Sequence, residues 1–354
     1  MSTLFSPLTL RGITFRNRAW VSPMCQYSSQ EGHPTDWHLV HLGGLARGGA
    51  GLVLAEATAV TPDGRISPWD AGIWTDSQAA DYRRITDFVR AQGAVPGIQL
   101  GHAGRKASTR RPWDGRGYVT PEAGGWTTVG ASPLGYADWP APHSLTEAEL
   151  ASLVTAWGAA ARRAVSAGFE VIEVHAAHGY LLHQFLSPLS NRRADGYGGD
   201  VAGRARLLYE VVDAIRSAIP DELPLFVRVS ATDWAPGGLT VADVETVSRE
   251  LAGRGVDLID VSSGGNVPEQ QIPVGPGYQV PLARRLREYS GLPVAAVGLI
   301  TEPAQAEQIL VDGSADAVLL ARALLREPSW PQRAARELGA DGYWPQQYLR
   351  ARPY

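Results

Sequence analysis

The densest chemistry in this 354-residue chain lies in the run from Phe169 to Tyr180, Phe-Glu-Val-Ile-Glu-Val-His-Ala-Ala-His-Gly-Tyr. Val171, Ile172 and Val174 belong to a short, β-branched apolar stretch of the kind that forms a buried strand. His175, His178 and Tyr180 follow at the point where such a strand opens into a loop, so all three reach one rim of its sheet. Two imidazoles can grip an oxygen atom. A phenol, protonated at neutral pH because its ordinary pKa is near 10, can hand over a proton. Other reactive side chains also end apolar runs: Cys25 and Tyr27, Gln99 and His102, Arg228, and Arg322.

The elements that must position these groups alternate. Eight apolar runs predict strands near residues 19–23, 52–56, 95–100, 169–175, 225–229, 258–261, 294–297 and 317–320. Helical patterns lie between them at 81–90, 146–167, 205–219, 241–254, 280–289 and 303–311, the second opening with the capping box Thr146-Glu-Ala-Glu149. Strands alternating with helices are parallel and joined by crossovers, and eight of them close a barrel. The expected fold is therefore α/β, a (β/α)8 TIM barrel forming one domain over 1–354. Two short β-like runs around Arg11-Gly12 predict a hairpin on the barrel floor, and 103–143, rich in Gly, Pro and Trp, predicts a lid-like loop inserted after the third strand. A doubly wound sheet fits less well, because no Gly-x-Gly-x-x-Gly follows the first strand. The glycines at 43–51 are expected to end a helix and turn into a strand, and Asp200 to cap the helix near 205.

Bulk properties exclude several classes. A net charge of −4 gives no electrostatic footprint for nucleic acid or an anionic membrane. The single cysteine excludes an internal disulfide and multi-cysteine metal sites, which suits a reducing compartment. The first 20 residues lack an apolar signal region, and no run is long enough to cross a bilayer, so a cytoplasmic location is expected.

Barrels of this class build their chemistry at the C-terminal ends of the strands. Polar groups gather there, and no cluster of Asp and Glu joins them, Glu56 and Asp233 being the nearby acids. That pattern argues against a carboxylate metal cage or a paired-carboxylate glycosidase. Gly298 after the seventh strand and Arg322 after the eighth, just before a helical segment at 323–326, carry a phosphate signal. Arg228 interrupts an apolar run, so it needs either an ion-pair partner or an electron-rich ligand over the barrel mouth. Gln99 offers a donor and an acceptor suited to an imide-like ring edge. Flavin mononucleotide satisfies both ends. The alternatives are a metal-dependent lyase or hydrolase using His102, His175 and His178, and a binding module without catalysis.

Ser22-Pro-Met-Cys-Gln-Tyr27, Gln99-Leu-Gly-His-Ala-Gly-Arg-Lys106, His175-Ala-Ala-His-Gly-Tyr180 and Ser190-Asn-Arg-Arg-Ala-Asp-Gly-Tyr-Gly-Gly199 resemble the Old Yellow Enzyme family of FMN-dependent ene-reductases. The likeness is to its thermophilic-like and xenobiotic-reductase branch, and it spans essentially the whole chain. It implies that Ser22, Pro23, Met24, Cys25, Ala57, Gln99 and Arg228 surround the FMN ring, while Gly298, Ala321 and Arg322 hold its phosphate. It implies that His175 and His178 bind a carbonyl or nitro oxygen of an activated alkene, that Tyr180 protonates the α-carbon, and that Tyr27 contacts the substrate. Cys25 would tune the flavin, and NADPH or NADH would reduce it in ping-pong turnover. Arg350, in the tail 340–354, would reach a neighbouring subunit's active site in a homodimer or a homotetramer of dimers. The chain departs from the family in carrying Ala321 where Gly is usual, Asp200 and Gly203 after the Tyr-Gly-Gly motif, and Val297 in place of a bulky aromatic. No cysteine cluster supports the iron–sulfur centre of a dienoyl-CoA reductase.

Overall fold

The computed structural model describes residues 2–352; residue 1 and the last two residues of the expected tail lie outside the described residues. The chain opens with an antiparallel hairpin, β1 (Leu8–Leu10) and β2 (Ile13–Phe15). Eight parallel strands then form a closed barrel: β3 (Ala19–Val21), β4 (Leu52–Ala59), β5 (Val95–Gly101), and, after two short strands described below, β8 (Val171–Ala176), β9 (Leu225–Ser230), β10 (Leu258–Ser262), β11 (Val294–Ala296) and β12 (Ala317–Leu320). Closure comes from the first strand pairing with the last, Val21 opposite Leu320. All eight expected strands form within a few residues of their expected ends. The expected barrel is the observed one.

The hairpin seals the floor. Phe15, Trp20 and Phe226 stack with ring centroids 4.6 to 6.4 Å apart, and with Leu10, Leu52, Val95, Val171 and Leu258 they make a small core at the N-terminal ends of the strands. A larger core lies between the barrel and its helices. Most helices form where the apolar spacing predicts. The Thr146 capping box is present, and so is the Asp200 cap, whose carboxylate accepts from the Gly203 N–H. Two helices escape that pattern, α4 (Leu181–Leu186) and α10 (Trp330–Glu337), while α1 (Asp36–Arg47) ends among the glycines at 43–51 as expected. In α1 Gly43 breaks the apolar stripe for a packing reason, since a Cβ there would stand 2.8 Å from the Phe88 ring of α2 (Asp76–Ala91).

The 103–143 insertion is irregular, as expected, but organised. Three 3₁₀ turns lead to β6 (Val129–Gly130), which pairs with β7 (His143–Ser144). The Ser190–Gly199 motif anchors this insertion: Arg193 donates to the Ala131 and Leu145 carbonyls, and Asn191 to those of Phe185 and Tyr197. No helix among the described residues is long and apolar enough to cross a membrane.

Candidate active site

β8 delivers His175 from within the strand and His178 from the turn after it, while Tyr180 caps α4. The three rings converge, with His175 5.2 Å from His178 and 5.0 Å from Tyr180, both edge to face. The turn is strained: His178 has φ +59°, and Gly179 has φ +73° with a Cβ position only 2.3 Å from the Gly265 carbonyl. Positive φ at a non-glycine residue is costly and concentrates at functional sites. A buried pair braces this turn. The Gly179 N–H donates to His183 Nδ1 (2.9 Å), whose Nε2 faces Asp233 at 2.8 Å, both side chains fully enclosed. Asp233 is thus a structural partner behind the site rather than an acid on its rim.

Both site imidazoles are neutral. Burial, then the Arg228 charge, pushes His175 and His178 well below the usual histidine range. His175 Nδ1 accepts from the Ala177 N–H, which leaves its Nε2–H as a donor. His178 Nε2 lies 2.7 Å from Ser262 Oγ, whereas Ser262 reaches Gln279 Oε1 only at 3.3 Å, an oxygen already served by Ser263 at 2.6 Å. In the tautomer in which Ser262 donates to His178 Nε2, the His178 Nδ1–H is left for a ligand. Burial, with Cys25 and Tyr27 close by as competing acids, holds the Tyr180 phenol far above its ordinary pKa, so it stays protonated. Lys106, at the end of the Gln99–Lys106 motif, braces the same turn. Its ammonium donates to the His178 and Gly265 carbonyls at 2.8 Å and packs 5.2 Å over the Tyr180 ring.

Across the mouth, Cys25 meets two acids. Its Sγ, a Glu56 oxygen and an Asp70 oxygen lie within 4.8 Å of one another. Glu56 accepts from His38 Nε2 and from the Gln26 N–H, each at 2.8 Å. Asp70, unsuspected from sequence, is pushed up to about 7 by burial and by Glu56. Burial and these two carboxylates keep Cys25 a neutral thiol. Tyr27 is itself in a positive-φ conformation and meets Trp113 of the insertion edge to face at 5.7 Å.

Arg228 has the ion-pair partner that was one of its two expected readings. Its Nη1 donates to Ser22 Oγ at 3.1 Å and its Nε faces Asp260 at 3.1 Å. Gln99 gives an amide hydrogen to Glu173 Oε1 at 2.8 Å. The expectation of no acids beyond Glu56 and Asp233 is corrected here, because Glu173 and Asp260 both point into the barrel below the mouth and are fully buried. Both faces of these strands are enclosed, so no alternation in the sequence marks which face is inward.

These contacts test the fit of a flavin. Glu173 turns the Gln99 amide so that its oxygen is available as an acceptor, and Arg228 keeps its other terminal nitrogen free of protein partners among the described residues. An acceptor beside a cation complements an imide N–H flanked by a carbonyl. A cavity of about 240 Å³ leads away from Arg228 past Ser262, Gln279, Gly298 and Ala321 to Arg322. Gly298, at φ +122°, needs its missing side chain, since a Cβ would stand 2.8 Å from Gln279. Arg322 lies at the start of α9 (Arg322–Arg326), one residue earlier than expected, and makes no ion pair with the described residues. The residues present fit FMN from ring edge to phosphate.

The model of the NADH:flavin oxidoreductase / NADH oxidase family matches residues 3–341. The chain belongs to this family. It is an FMN-dependent oxidoreductase that uses a reduced nicotinamide coenzyme. It is 47% identical over 351 residues to an NADPH dehydrogenase of Geobacillus thermodenitrificans (strain NG80-2), covering 99% of this chain and 98% of that one. Among solved structures, morphinone reductase superposes with a TM-score of 0.80 at 27% identity, covering 98% of this chain and 92% of the other. A 2-naphthoyl-CoA reductase superposes at 0.84 over 95% of this chain, but only 52% of its own chain is covered and at 23% identity it shows the fold alone.

For this family member the metal reading loses its ligands. Among the described residues the donor atoms close enough to share an ion are those of Cys25, Glu56 and Asp70, not the three histidines. His102 is buried, its Nδ1 accepting from the Gly104 N–H and its Nε2 3.8 Å from Asp63. Arg350 is exposed on a C-terminal 3₁₀ turn (Gln346–Ala351) and is not among the residues gathered at the chain's own mouth.

Proposed function

We propose that the enzyme reduces the C=C bond of activated alkenes, such as enones, maleimides and nitroalkenes, by a ping-pong cycle with NADPH or NADH. The observation that carries this reading is the convergence of two neutral imidazoles and one protonated phenol over the Gln99 and Arg228 end of the barrel mouth. When bound, FMN supplies the hydride, received from the nicotinamide coenzyme and delivered to the β-carbon.

The chain's own groups do the rest. His175 Nε2–H and His178 Nδ1–H hydrogen-bond the substrate's carbonyl or nitro oxygen and draw electron density from the adjacent double bond. Being neutral, they polarise that oxygen without giving up a proton to it. Tyr180 then gives its phenolic proton to the α-carbon; the tyrosinate left behind in this buried site is unstable and is promptly reprotonated. Ser22, Pro23, Met24, Cys25, Ala57, Gln99 and Arg228 hold the ring, and Gly298, Ala321 and Arg322 the phosphate. Tyr27 lines the substrate side, backed by Trp113. Arg350 serves a neighbouring subunit in a homodimer or a tetramer of dimers, and the enzyme works in the cytoplasm.

The first test is an anaerobic visible spectrum of the purified protein. Flavin absorbance that bleaches with NADPH and returns with cyclohexenone is the expected result. A colourless protein that added FMN does not turn yellow would overturn the proposal.

A further inference from the structure

The two carboxyl groups below the mouth have no part in the chemistry described so far. Glu173 on β8 and Asp260 on β10 are each fully buried, on the two strands that flank β9 and its Arg228. Glu173 Oε1 accepts from Gln99. Glu173 Oε2 and both oxygens of Asp260 find no donor, and the Arg228 guanidinium, 3.1 Å from Asp260 through Nε, is not aligned to donate. Beneath them lie Phe226, Leu258 and Val171 of the apolar floor, which offer no hydrogen bond. Two carboxylates cannot face each other in such a place with one guanidinium between them, because each uncompensated buried charge costs several kcal/mol. A proton between them removes the repulsion and supplies the missing donor.

We propose that Glu173 and Asp260 share a single proton, and that this protonated pair is the positioning element that holds Gln99 and Arg228 in the acceptor-and-cation arrangement presented to the flavin. The idea rests on the flavin reading above. With one proton the pair carries a single negative charge, which balances Arg228, so the barrel interior is neutral. Burial raises both carboxyls, each assisted or opposed by the other and by Arg228, in the direction that keeps the proton at neutral pH. The pair also explains the orientation of Gln99: Glu173 Oε1 is an acceptor, so the amide N–H points down and its oxygen points to the mouth. Neither acid touches the reacting atoms. They are positioning residues.

Infrared spectroscopy at neutral pH tests the proton directly, with Asp70→Asn present in every sample, native and variant alike, so that the Asp70 carboxyl, which titrates near 7, adds no band of its own. A protonated-carboxyl C=O band is expected in the native protein and is expected to vanish in both Glu173→Gln and Asp260→Asn, since the remaining acid then ionises beside Arg228. No such band in the native protein, or a band that survives in both variants, would overturn the shared proton. The positioning role is read separately, from flavin fluorescence released on dilution. Glu173→Gln is expected to weaken FMN binding about tenfold, one charge-assisted hydrogen bond's worth, because the introduced amide can donate and lets the Gln99 amide turn over. Unchanged affinity would overturn positioning. A native protein that holds no flavin but shows the band would sink the flavin reading and leave the shared proton standing.

Discussion

At the scale of single residues, the site works by keeping groups neutral in a place that would punish charge. Tyr180→Phe removes the donor and nothing else, so the alkene half-reaction is expected to slow by about 10²–10⁴-fold while flavin reduction by NADPH barely changes. Stopped-flow traces of the two halves decide this, and equal slowing would take Tyr180 out of the donor role. Ser262 lies 2.7 Å from His178 Nε2 and holds that ring in place, so Ser262→Ala is expected to weaken binding of a phenol inhibitor about tenfold, seen as a loss of its charge-transfer band with the flavin. Asp70 gives a pH prediction. Its carboxyl titrates near 7 when folded and near 4 when unfolded, so between these values the folded state holds the extra proton. Stability should therefore fall as pH rises from about 4 to 7 and then level off. Asp70→Asn should flatten that slope, gaining up to about 4 kcal/mol relative to the native protein above pH 7. Denaturant melts across pH measure it; a slope unchanged in the variant would remove Asp70 as its source. The residues legible in sequence were those whose types are rare at strand ends: two histidines, a tyrosine, a cysteine, a glutamine and an arginine. Asp70, Glu173 and Asp260 were not, because their importance lies in what they face across the barrel.

At the scale of elements, strands were readable and their cargo only partly so. Each barrel strand is a short β-branched run with its own turn, and that signal needs no knowledge of neighbours. The C-terminus of helix α1 was legible in its glycines but its length was not, and the two-residue strands β6 and β7 depend on a pairing that bridges the insertion. The loop after β11 shows how one element serves another's chemistry. Gln279, at the head of α7 (Val280–Ser290), donates to the Val297 carbonyl, accepts from Ser263, and stands where a Gly298 side chain would go. Gly298→Ala is expected to displace it and weaken FMN binding about tenfold, with about 1–3 kcal/mol of fold stability lost to strain at φ +122°. Fluorescence titration reports the affinity, and native-like binding would show that the backbone there can yield without cost. At Ala321 the φ is −113° and the ψ −95°, so the extra methyl meets no positive-φ strain.

At the scale of the whole molecule, the floor and the mouth divide the work. The hairpin side holds the aromatic stack and the mouth holds the polar groups, with Arg228 and its acids between them. Trp20→Ala, at the centre of the stack, is expected to cost about 3–5 kcal/mol of stability by leaving a cavity. Flavin spectra of the folded fraction should stay native, and an altered spectrum would mean that the floor and mouth are coupled. Barrel closure carries a further consequence for how the chain is made. The strand that Val21 belongs to waits for a partner around Leu320, and Ser2 bonds Glu307 across 305 positions of sequence. A nascent chain leaving the ribosome therefore carries an unpaired leading edge until almost all of it has been synthesised, a long exposure in which a chaperone that shields strand edges has the most to do.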